Sequence, residues 1–199
     1  MAGTTNVLIV GVGGQGIVLA GDIIGLAAQL TGMEAKASEV HGMSQRGGSV
    51  VSEVRFGAQV HSPLIPPPGA DFLLAFETLE GVRAVGRLRP GGLAIVNTQR
   101  IAPSSVTYGT AVYPDDAEAR LMTACPSTIL VDALGIATEL GESRAVNSVL
   151  MGVLAGHCAT IPLSCWETAF RQLVKPRFIN LNLAAFTRGR ELALNAVGS

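Results

Sequence analysis

Two glycine-rich loops hold most of the residues in this 199-residue chain whose types and spacing could do chemistry. The first, Gly11-Val12-Gly13-Gly14-Gln15-Gly16, lies between a short apolar run and a helical repeat. Glycines there allow a tight turn and close backbone approach, and the unpaired N–H groups of a helix start attract an anion. The spacing fits the dinucleotide fingerprint, whose partner acid belongs at the end of the second strand; Glu39 stands 23 residues after Gly16. The same residues also fit another phosphate, or a turn that only packs. Gln15 is either a ligand contact or a helix cap.

The second loop runs Glu39-Val40-His41-Gly42-Met43-Ser44-Gln45-Arg46-Gly47-Gly48-Ser49. Arg46 beside Gly47 and Gly48 sets a planar donor fork next to exposed backbone N–H groups, a plausible site for a carboxylate or another anion. An ion pair with Glu39 or Glu53 is its structural alternative. His41 is a weak candidate for proton transfer and otherwise a hydrogen-bonded loop residue. Gly42-Met43-Ser44 is no nucleophile elbow, because position 46 would have to be glycine. Glu77 and Asn97 follow or close apolar runs, at the strand ends where α/β folds gather ligands. Glu77 as a helix-start acid favoured by the dipole, and Asn97 as a turn residue, are the alternatives. Gly152 and Gly156, one helical turn apart, read as a close helix contact.

The elements that must position these loops alternate. Asn6–Val10, Glu34–Val40, Val50–Phe56, Asp71–Phe76, Leu93–Asn97 and Thr128–Val131 read as strands, mostly buried apolar runs. Gly14–Leu30 and Leu79–Leu88 read as helices, and the pattern from Ala133 onward is mostly helical. Strands alternating with helices predict an α/β fold: one domain with a Rossmann-like, mostly parallel sheet and helices on both faces over about 1–140, and a helical C-terminal cap over about 141–199.

Composition narrows the class. With 14 Lys+Arg against 15 Asp+Glu the net charge is -1, which argues against a nucleic-acid binder. Only 15% of residues are charged, against about 25% in ordinary soluble domains, and the mean hydropathy is +0.42. Such a surface lies in a membrane or under other protein. The best apolar stretch, Ala145–Ile161, is broken by Asn147, Ser148 and His157 and falls short of the roughly 20 residues of a span. No secretory leader pattern is present. The expectation is a cytoplasmic protein with a large subunit interface. Cys125, Cys158 and Cys165 are scattered, as are His41, His61 and His157. Neither set forms a metal-ligand pattern, so no metal site is expected in this chain.

Across both loops the sequence resembles the gamma-type subunit of the 2-oxoacid:ferredoxin oxidoreductases, most closely the indolepyruvate type. The resemblance runs through Val10–Gly16, Glu39–Val51, Val54-Arg55-Phe56-Gly57, Ser62-Pro63-Leu64-Ile65, Phe76-Glu77-Thr78-Leu79-Glu80, Pro90-Gly91-Gly92, Val96-Asn97-Thr98 and Asn182-x-x-Ala185-Phe186-x-x-Gly189. Thr78 stands where relatives often carry proline, which alters a helix start and no chemistry. The resemblance implies oxidative decarboxylation of a 2-oxoacid, aryl pyruvates in the indolepyruvate type, to an acyl-CoA, carbon dioxide and reduced ferredoxin. It implies a large alpha subunit carrying thiamine diphosphate, magnesium and 4Fe–4S clusters, with coenzyme A as co-substrate and ferredoxin as acceptor. It places Gly11, Gly13, Gly14, Gln15, Gly16, Ser44, Gln45, Arg46, Gly47, Gly48, Glu77 and Asn97 near substrate or coenzyme A. The chain itself has no cysteine cluster and no G-D-G diphosphate motif, so it reads as an accessory subunit inactive alone. A stand-alone NAD(P)-dependent oxidoreductase is the alternative, as is a free coenzyme A- or nucleotide-binding module. The dehydrogenase lacks a Y-x-x-x-K or a substrate domain.

Overall fold

A computed structural model describes residues 3–41 and 48–196. Among them six strands form one sheet: β1 (Thr5–Val12), β2 (Glu34–His41), β3 (Ser49–Gly57), β4 (Ala70–Ala75), β5 (Leu88–Asn97) and β6 (Ile129–Val131). The helices are α1 (Ile17–Gln29), α2 (Thr78–Ala84), α3 (Ser104–Thr107), α4 (Ala117–Ala124), α5 (Ala133–Glu139), α6 (Val146–His157), α7 (Leu163–Leu173) and α8 (Ile179–Ala196).

The strand order is β2-β3-β1-β4-β5-β6. β1, β4, β5 and β6 run parallel. β3 runs antiparallel to both β1 and β2. The α/β expectation therefore holds with one reversed strand. The reason is chain length: only residues 42–48 join β2 to β3, and a parallel return needs a crossover of a dozen residues or more. Pro90-Gly91-Gly92 lies within β5 as an irregularity. Ala70 pairs with Leu88, but Phe72 already pairs with Leu93.

The central strands β1, β4 and β5 bury residues on both faces, which is why their runs are apolar, whereas β2 at the sheet edge is polar and has no buried residue among those described. On one side Val7, Ile9, Val54, Phe56, Leu74 and Ile95 pack under α1 and α5–α8. On the other Leu8, Val10, Leu73, Ala75, Ala94 and Val96 meet Ile65, Ala84 of α2 and Leu121 of α4. β3 shows the cost of two covered faces. Ser52 is fully buried beneath Gly21 of α1. Glu53, on the opposite face, is buried and neutralised by Arg87 at 2.6 Å.

α1 begins at Ile17, not Gly14, because Gly14 (φ +100°) and Gly16 (φ +80°) hold left-handed backbone that no helix continues. Its apolar repeat, Ile17, Ala20, Ile24, Ala27 and Ala28, faces the sheet. α6 is buried from Val146 through Leu154. It meets α8 at backbone distance. A Cβ on Gly152 would strike the Phe186 carbonyl and come within 2.8 Å of the Arg190 nitrogen, and one on Gly189 would strike the Val149 carbonyl. The Asn182, Ala185, Phe186 and Gly189 pattern is thus the α8 face that receives α6. Phe186 also packs against Trp166 and Phe170, with ring centroids at 5.7 and 5.2 Å. Among the described residues no helix is long and apolar enough to cross a membrane.

Candidate functional site

The glycine loop sits at the carboxyl end of β1. Its conformation is held by Gln15, whose Oε1 accepts from the Val12 N–H (2.8 Å) while its Nε2 donates to the Phe76 carbonyl (2.9 Å). A Cβ on Gly11 would lie 2.7 Å from that Oε1 and 2.9 Å from the Phe76 Cβ, so glycine at 11 is required for the staple. The Gly13 N–H donates to the Gly48 carbonyl (2.9 Å) and the Gln15 N–H to the Val12 carbonyl (3.2 Å). Two of the loop donors are therefore used internally.

What stays open is the start of α1. Gly14 is exposed, Gly16 caps the helix without a side-chain bond, and the first turn holds no acid. The positive end of a 13-residue helix thus faces outward without an internal counter-charge. Opposite it stands Asn147 of α6, 5% exposed, its amide nitrogen 2.9 Å from where a Gly16 Cβ would lie. Asn147 accepts from Ser148 (3.4 Å). A cavity of about 390 Å³ opens here, walled by Gly14, Gln15, Gly16, Gln99, Arg144 and Asn147 among others. A second, of about 380 Å³, shares Leu19, Arg144 and Asn147 with it and extends to Lys175 and Phe178. Arg144 lies 5.4 Å from the Phe178 ring centroid and bonds Glu142 twice, at 2.7 and 2.9 Å. The guanidinium, by hydrogen bond and charge, lowers the Glu142 carboxyl to about 2. The groove joins backbone donors, one buried amide, and a cation already matched by a carboxylate.

Two sequence candidates face inward instead. Glu77 is 1% exposed. It caps α2 by accepting from the Glu80 N–H (2.9 Å), and it also takes the Ile101 N–H (3.1 Å) and the Tyr113 hydroxyl (2.6 Å). Asn97 is fully buried. It donates to the Phe76 carbonyl (3.1 Å) and Gln99 (3.3 Å), and accepts from the Ala133 N–H (3.3 Å). Both organise the rim of the groove, Glu77 as the cap of α2 and Asn97 as the last residue of β5. The Tyr113 hydroxyl is raised far above its ordinary value, first by burial and then by the Glu77 carboxylate.

Glu39 pairs with Ser52 on β3, and Ser52 with Ile9 on β1. The acid thus lies two ladder spacings, about 10 Å, from the strand that carries the glycine loop. The reversed β3 fills the place where a dinucleotide fold keeps that acid beside β1. His41 ends β2, but its side chain lies outside the described residues, as do Ser44, Gln45, Arg46 and Gly47. Gly48 is described, and its bond to Gly13 ties the second loop to the first.

The donor chemistry of this chain does not fit an iron–sulfur cluster. Cys125 contacts Ser127 and the Gly92 carbonyl, and Cys158 contacts Thr160. Among the described residues no three His, Cys, Asp or Glu side chains could share an ion. Sequence reasoning missed Asn147, Arg144 and Tyr113. Asn147 and Ser148 registered only as breaks in an apolar stretch, although two adjacent polar residues within a buried helix are themselves a signal.

The profile of the pyruvate ferredoxin/flavodoxin oxidoreductase family matches residues 6–192. The chain is 40% identical to the indolepyruvate oxidoreductase subunit IorB of Archaeoglobus fulgidus over 193 residues, 96% of each chain. Against the IorB subunit of Thermococcus kodakarensis it is 36% identical over 97% of this chain and 98% of that one. Identity is 27% to the 2-oxoglutarate synthase subunit KorC of Methanothermobacter marburgensis, over 95% of this chain and 96% of the other. The gamma subunit of keto/oxoacid ferredoxin oxidoreductase from Geobacter sulfurreducens superposes with a TM-score of 0.72 at 25% identity, covering 96% of this chain and 99% of that one. The fold also recurs in 2-oxoglutarate:ferredoxin oxidoreductase of Magnetococcus marinus, solved with 2-oxoglutarate, coenzyme A and succinyl-CoA bound: TM-score 0.74, 18% identity, 98% of this chain against 32% of that one. Matched along nearly its whole length by the family profile and by relatives well above 30% identity, the chain belongs to the pyruvate ferredoxin/flavodoxin oxidoreductase family.

Proposed function

We propose that the chain is the small accessory subunit of an indolepyruvate-type 2-oxoacid:ferredoxin oxidoreductase in the cytoplasm. The observation that carries this reading is the gradient of likeness: 40% identity to an IorB subunit over 96% of both chains, against 27% to a KorC subunit. The large partner holds thiamine diphosphate with its magnesium, which supplies the carbanion chemistry, and the iron–sulfur clusters that take the electrons to ferredoxin. This chain's part is binding and shape. Gly14, Gly16 and the start of α1, with Asn147 opposite, offer N–H donors to an anionic group such as a coenzyme A phosphate. Gly48 is bonded to Gly13, and Arg46, two residues earlier in the sequence and outside the described residues, is the cation that this reading assigns to phosphate, oxoacid carboxylate or partner. Exposed Val18, Leu30, Val40, Tyr108 and Val112 are apolar surface that a subunit interface would cover.

The test is co-expression with the large subunit. We expect a stable complex that reduces ferredoxin with aryl pyruvates and coenzyme A, and no turnover by this chain alone. Turnover by the isolated chain would refute the accessory role, and a complex that prefers 2-oxoglutarate to aryl pyruvates would refute the indolepyruvate assignment.

A further inference from the structure

At the corner where α6 ends and α7 begins lies a cavity of about 260 Å³, with Gly156, Ile161, Leu163, Trp166, Arg190 and Leu194 in its wall. Nothing in the proposed function uses it. Asn147 and Gly156 are nine residues apart on α6, so about 14 Å of helix separates this corner from the glycine loop.

Two donors in that wall lack acceptors. Arg190 is half-buried and, among the described residues, makes no hydrogen bond or ion pair. Six other arginines each hold a carboxylate within 4 Å. Trp166 is 1% exposed, and its indole N–H meets no acceptor. A buried tryptophan N–H normally finds one. This N–H is closed to water, and so also to a ligand oxygen lying in the cavity; the ring, not the N–H, faces that space. The residues lining the cavity include no acid. The start of α7 brings none either: its first turn is free of Asp and Glu, and its cap, Pro162, offers no side-chain acceptor. α6 presents its carbonyl end at the same corner. The two helix ends carry opposite partial charges of about half a unit each and largely cancel, which leaves the full charge of the guanidinium to decide. Around it the wall is apolar: Ile161 is buried, Leu163 is 40% exposed and Leu194 50%.

We propose that this cavity binds a small organic carboxylate. The anion lies on Arg190, and its alkyl or aryl body rests against Ile161, Leu163 and Leu194 beside the Trp166 ring. At about 260 Å³ the space is smaller than the roughly 300–1,000 Å³ of sites for larger ligands, so a nucleotide does not fit. The inference does not depend on the proposed function.

Trp166 is the only tryptophan in the chain, so its emission reports on the cavity. The experiment titrates the full chain with phenylacetate and hexanoate, and in parallel with phenylacetamide and hexanamide, which keep the bodies but not the charge. We expect a saturable change from the acids at millimolar concentrations or below and none from the amides. Arg190→Gln should weaken binding on the order of tenfold to a hundredfold, the effect of one charged hydrogen-bonding group, with Arg190→Lys between. Leu163→Glu sets a resident carboxylate at the mouth, on a helix start that tolerates it, and should also abolish the response. It carries the test if Arg190→Gln does not fold. Equal responses to acids and amides, wild-type binding by Arg190→Gln, or no saturable signal by fluorescence and calorimetry would each overturn the assignment.

Discussion

Replacing Glu77 with alanine separates a ligand contact from a framework residue. The carboxylate receives three donors: the Glu80 N–H at the start of α2, the Ile101 N–H and the Tyr113 hydroxyl. Loss of a helix cap costs about 1 kcal/mol. Leaving the Ile101 N–H without an acceptor costs about 1–3 kcal/mol, and the bond from Tyr113 about 1 kcal/mol more, since that hydroxyl is only half-buried and can turn to water. The total is roughly 3–5 kcal/mol, a large share of the 5–15 kcal/mol that holds a typical domain. With an m-value of about 2 kcal/mol/M the urea midpoint should fall by roughly 1.5–2.5 M. Glu77→Gln keeps the cap oxygen. Its amide nitrogen can donate to Tyr113, which already accepts from the Leu79 N–H (3.2 Å), but it leaves the Ile101 N–H without an acceptor, so its loss should be about half as large. Unfolding followed by Trp166 fluorescence and far-ultraviolet circular dichroism measures both variants. If Glu77→Ala keeps the wild-type midpoint while the assembled complex loses turnover, the carboxylate serves a ligand and the reasoning fails.

A paired glycine experiment tests the helix contact. Gly152→Ala should cost about 2–3 kcal/mol or prevent folding, because its methyl group meets α8 backbone. Gly25→Ala, where a Cβ meets nothing within 4 Å inside α1, should stabilise by about 0.5–1 kcal/mol; thermal midpoints decide both. Tyr113 predicts a pH effect. Its proton is held more tightly in the folded chain than at the ordinary 10.0, so stability is full below about pH 10 and falls as pH rises past it. The fall in urea midpoint on the alkaline side should be smaller in Tyr113→Phe. For Arg46, turnover by the reconstituted complex should decline from wild type through Arg46→Lys to Arg46→Ala, with a raised KM for coenzyme A or for the oxoacid naming its ligand; unchanged kinetics in the alanine variant would remove it from the site. NAD, NADP and FAD should give no saturable calorimetric signal with the isolated chain below roughly millimolar; micromolar affinity abolished by Gly13→Val would restore the dehydrogenase reading.

The central strands could be read because each is an apolar run closed by a breaker: Asn6–Val10 runs into the glycine loop at Gly11, and Leu93–Asn97 into a polar segment. The direction of β3 could not be read from its own residues, because alternation looks the same from either end. It follows from the short connection before it. The roles of Gln15, Glu77 and Asn97 were legible only as positions. Gln15 bonds a carbonyl 61 residues away, and Glu77 a hydroxyl 36 residues away. Whether such side chains turn inward depends on partners that no local pattern identifies. Asn147 was hidden for the same reason, since its place beside Gly16 is set by the packing of α6 and not by any spacing.

The staple made by Gln15 has a topological meaning. The chain leaves β1 for β2 and β3 on one flank and then crosses to β4 on the other, so the gap between the carboxyl ends of β1 and β4 is the switch point at which open α/β sheets receive their ligands. Gln15 bridges that gap, from Val12 at the end of β1 to Phe76 just past β4. The crevice is plugged by a side chain of the very loop that, in a nucleotide-binding protein, would leave it open. A visiting ligand would first have to displace two hydrogen bonds, each worth about 1 kcal/mol, before making any of its own. Under the proposed function, the plug would move recognition sideways, to the groove between α1 and α6, and leave a rim closed by the Gln15 side chain on which a partner subunit could settle without trapping a hollow beneath it.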